Sequence, residues 1–354
     1  MKVSLMENIF KVEILKKYKK YTEMFIKDTK LDLENILPNH KIEAYNEDLK
    51  YYNEKIILLD KKNYLNRFKV YYTLLEKLDN YVLDILTYKI LLKKENNETI
   101  SSCLRSFNNK ENKVKYELDR TVTGRLINKK DSPSILTLPK RYRHIFRSLW
   151  KENGRIISID FKSLEPRLAK RFTCKNNYND IYETIGSLIE GEGLDRSVIK
   201  KAVISTLYGS KNSLNNLSQE RTENLMKVCK DFFEYDKLYE MAKEVNDFGF
   251  RTNYFGRPLW NVEETRSNIV INNFIQSSAV DISLNYFSKL VNKVDLEKCR
   301  PLFIIHDAIV FDVHNDYYEE IVKIKDEGYN DDQLGFFPLT IENFTETNID
   351  TTSF

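Results

Sequence analysis

The sequence predicts an α+β fold built around an antiparallel sheet, and three observations point there. Residues 1–110 are Lys-rich, contain no glycine and are helical in pattern. Short, strongly apolar runs come later: RIISIDF at 155–161, then LFII at 302–305 and IVF at 309–311. Helical stretches are interspersed with those runs rather than alternating with them as regular βα units.

Composition narrows the class. The 354 residues are 42% apolar and 31% charged, as in a globular chain rather than a disordered one. No apolar run approaches the ~20 residues of a membrane helix, and the start, MKVSLMENIFKVEILKK, lacks a signal-peptide core. No membrane partner and a cytoplasmic location, in a bacterial or infected host cell, are therefore expected. Cys103, Cys174, Cys229 and Cys299 form no C-x-x-C pair, and the four histidines have no metal-ligand spacing. Neither a disulfide framework nor a zinc site is indicated. The formal net charge is +3. Residues 101–155 hold fourteen Lys/Arg against five Asp/Glu, leaving the remainder of the chain at −6. Such a basic stretch suits a polyanionic backbone. A solvated face balanced in space by acids elsewhere explains the charge alone equally well.

Each element has a local reason. Leu74, Leu78, Tyr81, Ile85, Tyr88 and Leu92 recur at three- and four-residue spacing, the stripe of an amphipathic helix packed on a core. NKENKVKYELDRT shifts toward strand character. After 155–161, a helix is expected from Ser163, since Pro166 is tolerated in a first turn. Residues 180–248 read as mostly helical. GFRTNYFGRPLW, from Gly249, reads as a hairpin turning around Phe255–Gly256, and another helix covers about 267–291.

Asp160 and Asp307 share one context, each at the end of an apolar strand. If the strands are neighbours, the carboxylates converge and repel unless protons or cations intervene. Two Mg²⁺ ions would resolve that conflict and support phosphoryl transfer, although an isolated strand-end Asp is more often a turn residue. On a third element, 195–209, Arg196, Lys200, Ile204 and Tyr208 follow at steps of four, with Gly209 next. On a helix these lie along one slowly turning stripe, cations at the N-terminal end and a ring at the other. Such an end favours anions; a solvated basic helix end is the plainer alternative.

These segments and others occur in an order that resembles the family A (DNA polymerase I-like) DNA polymerases, most clearly over 113–354. TVTGRL (121–126) is similar to the family's T-x-TGRLSS motif. DFKSLEPR (160–167) resembles motif A, D-Y-S-x-x-E-x-R. Arg196, Lys200, Tyr208 and Gly209 match motif B. GFRTNYFGR resembles the G-[YF]-x-x-T-x-x-GR hairpin, and NNFIQSSAVDI the N-x-x-x-Q-G-x-A-A-D helix. HDA at 306–308 stands where motif C has His-Asp-Glu, and FPLTIENFTETN looks like the closing strand.

The resemblance implies a right-hand polymerase fold with an antiparallel palm sheet, helical fingers and a helical thumb. The corresponding division is a thumb-like region at 1–112, palm at 113–175, fingers at 176–265 and palm again at 266–354. It implies two catalytic Mg²⁺ on Asp160 and Asp307, with Mn²⁺ a candidate substitute. Arg196 and Lys200 would bind the incoming triphosphate, and Tyr208 would stack near the template base. Glu165 corresponds to a sugar gate favouring dNTPs, its plainer role being an ion-pair partner. Arg125, Asn272 and Gln276 would meet the primer–template minor groove, and His306 the primer terminus. Primer–template DNA and dNTPs are the implied partners, with other replication proteins as candidates.

The departures are Ala308 for the motif C glutamate, Ile204 for an aromatic, Tyr182 for a phosphate-binding histidine and Ser277 for a glycine. Residues 1–110 have room for a thumb-like helical bundle, so no proofreading or 5′-nuclease domain is expected, which would suit a phage or other mobile element, or a repair role. Two alternatives stand beside a DNA polymerase. One is a single-subunit RNA polymerase or primase-like enzyme, against which Glu165 and TVTGRL count. The other is a non-catalytic primer–template binding protein on the same fold.

Overall fold

The computed structural model describes residues 37–59, 64–108, 111–118, 120–174, 176–189, 193–209, 217–245, 250–259 and 263–346. The first third of the thumb-like region, Gly249 and Trp260 at the hairpin ends, and the last residues of the closing segment lie outside them. Helices α1 (Asn39–Leu59), α2 (Tyr64–Glu76), α3 (Ile85–Lys94) and α4 (Glu98–Arg105) precede strand β1 (Gly154–Phe161). Then follow α5 (Leu164–Thr173), α6 (Ile181–Ser187), α7 (Arg196–Tyr208), α8 (Gln219–Phe233), α9 (Tyr235–Lys243) and α10 (Ser267–Lys293). Strands β2 (Cys299–Ile305) and β3 (Ala308–His314), helix α11 (Tyr318–Glu327) and strand β4 (Leu339–Asn343) complete the main elements.

The four strands form one antiparallel sheet in the order β4-β1-β3-β2. The α+β expectation holds, and the two apolar acid-bearing strands are indeed neighbours. Their residues are buried almost without interruption, which explains why the sequence runs apolar rather than alternating. Phe161 packs against Tyr286 and Phe287 of α10. Phe303 packs against Tyr81, Phe146 and Phe344. Tyr116 ties its hydroxyl to both backbone groups of Ile304, at 2.9 and 3.0 Å.

The stripe from Leu74 to Leu92 is not one helix. It ends with α2 at Glu76, passes through a short ladder pairing Val82–Leu83 with Phe146–Arg147, and resumes in α3. Asp84 restarts the helix by accepting from the Leu86 and Thr87 amides, both at 3.1 Å. Leu74, Leu78, Tyr81 and Tyr88 are buried as expected, but the break leaves Ile85 51% exposed. The expected hairpin is present, pairing Arg251–Thr252 with Pro258–Leu259, and Gly256 takes φ +89° in its turn.

Three of the sequence motifs meet at one buried ion pair. Asp281 of α10 accepts from Arg257 Nη2 at 2.5 Å and from Asn253 Nδ2 at 2.6 Å, both donors belonging to the hairpin. Tyr71 of α2 donates to the Asp281 carbonyl at 3.0 Å. Gly124 of TVTGRL lies so close to the Arg257 guanidinium that a Cβ there would stand 2.4 Å from Nη1. Removing one partner leaves a buried charge uncompensated, so Asp281→Ala should lower stability by about 3–5 kcal/mol. Urea unfolding measures this; a loss below about 1 kcal/mol, the scale of an exposed pair, would contradict it.

Candidate active site

Strand β1 delivers Asp160 to its C-terminal end, where the register sets it opposite Ala308. Ala308 also pairs with Ile305, so His306 and Asp307 form the two-residue turn between β2 and β3. His306 holds the turn in the left-handed region at φ +56°, a strained position for any side chain with a Cβ. Asp307 thereby sits beside Asp160 rather than in the sheet, and both line one cavity of about 430 Å³, within the usual range of ligand sites.

The electrostatics of this pair are unfavourable as they stand. Asp160 Oδ1 is buried and has no hydrogen-bond partner. Burial, and then the charge of Asp307, push the Asp160 carboxyl up to about 7. Asp307 is also raised, chiefly by burial, with Glu165 adding and His306 and Arg125 opposing. An orphaned buried oxygen and two raised neighbouring acids are what a bound divalent cation would relieve. Among the described residues no cluster of three or more His, Cys, Asp or Glu forms a cage. Two carboxylates, with the remaining positions left to oxygen ligands from outside the chain, fit a hard divalent cation.

The wall beside the acids comes from the turn after β1. Ser163, at φ +56°, swings the chain into α5 and puts Glu165 in its first turn. Glu165 accepts from Arg125 Nη2 at 2.8 Å through one oxygen and from the Tyr208 hydroxyl through the other. Burial and the Glu165 charge raise the Tyr208 phenol well above its usual range, keeping it a donor. Tyr182, Lys200, Ile204 and His306 complete the expected residues around this cavity. A smaller adjoining cavity of about 40 Å³ brings Gln276 to Arg125, Glu165, His306 and Asp307.

Two expected residues stand elsewhere. Asn272 lies one turn before Gln276 on α10, its Oδ1 buried without a partner, and lines neither cavity. Arg196 does not reach the main cavity. Its guanidinium stacks 4.7 Å from the Tyr182 ring and donates to Asp180 Oδ2 at 2.9 Å. Asp180, Lys162 and Arg167 were not singled out from the sequence. Buried Arg167 donates to the carbonyls of Lys162, Tyr178 and Asn179 at 2.7–2.8 Å, clamping the turn after β1 to the start of α6. The Asp before IYETI was a readable helix cap; its second function as an anionic partner was not.

A sequence model described as DNA polymerase family A matches residues 12–342. The chain belongs to DNA polymerase family A. The fold of this family A member is similar to that of the POL domain of Pol1 from M. smegmatis, solved in complex with DNA primer-template and dNTP. The TM-score is 0.55 at 17% identity over 69% of this chain. The match spans half the length of that solved chain. No curated protein sequence matches. The order of motifs read from the sequence and the acid-bearing antiparallel sheet thus agree with family and fold.

The raised Asp160 carboxyl has a thermodynamic consequence. Folded protein holds that proton up to about pH 7, whereas an unfolded Asp releases it near 3.8. The folded state is therefore the more protonated between those values, and its stability falls as pH rises through that window. In buffer free of divalent cations, Asp160→Asn should leave stability unchanged below the unfolded value and increase it at pH 8 by on the order of 2–4 kcal/mol. Urea unfolding in chelator at the two pH values tests this. Equal stability of the two proteins at pH 8 would contradict it.

Proposed function

We propose that the chain is a template-directed DNA polymerase that extends a primer 3′ end with dNTPs. The observation that carries this reading is the carboxylate pair Asp160 and Asp307, raised and uncompensated, in one cavity with Lys200 and Glu165. The assignment of regions is a thumb-like 1–112, palm 113–175 and 266–354 around the sheet, and fingers 176–265 carrying α7. Family membership supports divalent-cation chemistry, and we assign two Mg²⁺, replaceable by Mn²⁺, to Asp160 and Asp307. Bound there, the ions would lower the pKa of the primer hydroxyl and neutralise charge on the transferring phosphate.

The reaction joins the primer 3′-oxygen to the α-phosphorus as the bond to pyrophosphate breaks. Asp160 and Asp307 present oxygen ligands from a rigid sheet edge, so little reorganisation is required during the step. Lys200, on the α7 stripe, binds phosphate oxygens across the cavity. Glu165 borders the space for the sugar, held by Arg125 and Tyr208, and crowds a ribose 2′-hydroxyl. Tyr208 offers its ring to the template base at the insertion position. Arg125, Gln276 and Asn272 face the minor groove of the primer–template, where acceptors are common to all correct pairs. His306 meets the primer terminus. The basic stretch 101–155 attracts duplex phosphates. Among the described residues no helix is long and apolar enough to cross a membrane.

Asp160→Asn and Asp307→Asn should each lower primer extension by at least about 10³-fold, on the scale of losing the electrostatic centre of a phosphoryl transfer, while primer–template affinity changes little. Extension and fluorescence-anisotropy assays on the same preparations check this. Equal loss of binding would make the residues structural, and a wild-type chain that binds but never extends would favour the non-catalytic reading.

Glu165→Ala should raise rNTP incorporation relative to dNTP by about tenfold or more, the effect of removing a steric contact worth about 1.4 kcal/mol. Competition primer extension with both nucleotide types measures it, and an unchanged ratio would remove the gate.

A further inference from the structure

A polyphosphate tail entering the main cavity would meet three carboxylates, Asp160, Asp307 and Glu165. Of the cations lining that space, Arg125 is committed to Glu165. Lys200 has no ion-pair partner among the described residues, and His306 belongs to the turn. One lysine is a thin supply of positive charge for such a ligand.

Two more cations stand near that cavity: Arg196 lies over the ring of Tyr182, itself part of the cavity wall, and Lys162 shares a carboxylate with Arg196. Arg196 Nη2 lies 2.9 Å and Lys162 Nζ 3.3 Å from the same oxygen, Asp180 Oδ2. The other oxygen caps α6, accepting from the Tyr182 and Glu183 amides at 2.9 and 3.3 Å. Burial opposes the Asp180 charge, but the Arg196 hydrogen bond and the remaining donors prevail and hold its carboxyl down at about 2. The exposures are asymmetric. The carboxylate side chain is only 8% exposed, whereas Arg196 is 50% and Lys162 41% exposed. Solvent therefore reaches the donors while the acid beneath them stays covered. Phosphate oxygens arriving from outside can take over donors that Asp180 keeps side by side.

We propose that Lys162, which shares Asp180 with the Arg196 already expected at the triphosphate, is a further cation for the polyphosphate tail of the incoming nucleotide and for the pyrophosphate product, the two being aligned by Asp180 as one clamp. Lys162 is a further nucleotide-binding residue, supplying charge where Tyr182 brings none. Asp180 is a positioning residue that competes with phosphate for the two cations. This clamp rests on the polymerase reading for its nucleotide, but its affinity for a phosphate chain can be measured without turnover.

The test combines equilibrium titration of the full chain with inorganic tripolyphosphate and steady-state primer extension. Lys162→Met keeps the stem and removes the charge. It should weaken tripolyphosphate binding and raise the dNTP KM by about tenfold, as for one lost charge-assisted contact, with kcat changed far less. Lys162→Arg should restore most of both. Asp180→Asn retains the capping oxygen and removes the competing charge, so it should tighten tripolyphosphate binding severalfold. If wild type extends DNA but Lys162→Met leaves KM and tripolyphosphate affinity unchanged, the clamp is overturned and the polymerase reading stands. Lys162-dependent tripolyphosphate binding without any extension would support the clamp and overturn the polymerase reading. Unchanged or weaker binding in Asp180→Asn would overturn the competition and leave that residue a helix cap.

Discussion

Two carboxylates held together in a partly desolvated pocket are the constraint from which the site follows. Asp160 and Asp307 cannot both ionise cheaply where they stand, because burial raises both, with the Asp307 charge adding at Asp160 and the Glu165 charge at Asp307. The sheet fixes one of them and a strained two-residue turn fixes the other. A divalent cation held between the two acids would relieve that cost.

The surrounding scaffold is stiff where the acids need it. The Arg257–Asp281 pair joins the hairpin to α10, with Tyr71 of α2 and Gly124 of the TVTGRL loop packed around it. That places Arg125, one residue after Gly124, within reach of Glu165. A buried ion pair is weak evidence for stability in itself, but breaking it is costly. Its value here is registration: segments more than a hundred residues apart are held at one set of relative positions beside the cavity. Arg167 performs a similar service on the other side, through three carbonyls.

Much of this was legible in the sequence for physical reasons. Apolar runs broken by an acid marked both positions as strand ends or turns, and the structure puts Asp160 near the end of β1 and Asp307 in the β2–β3 turn, on one cavity. Steps of four on residues 196–208 define a helical stripe whatever the tertiary context, and α7 has those bounds. Less legible was anything decided by side-chain competition. Spacing put Arg196 with Lys200, yet a half-exposed guanidinium takes the nearest buried carboxylate, and that acid belongs to another helix. Periodicity also ran the stripe from Leu74 to Leu92 through a break, since buried residues of a loop and a short ladder keep helical spacing by coincidence. The cap at Asp84 was the local signal against continuity. The basic stretch 101–155 is partly balanced in space, as the pairs Arg147–Asp84, Arg141–Glu95 and Lys140–Glu342 show, so its charge excess overstates the field.

What decides the account is whether the acid pair binds divalent cations as a unit. Titrating Mn²⁺ into the chain with primer–template and a non-hydrolysable dNTP analogue, and reading free Mn²⁺ by electron paramagnetic resonance, measures that directly. The expected result is saturable Mn²⁺ binding that either single substitution, Asp160→Asn or Asp307→Asn, severely weakens. Binding of equal stoichiometry and affinity in the wild type and both variants would mean that the ions are held elsewhere, and the carboxylate pair would lose its assigned role.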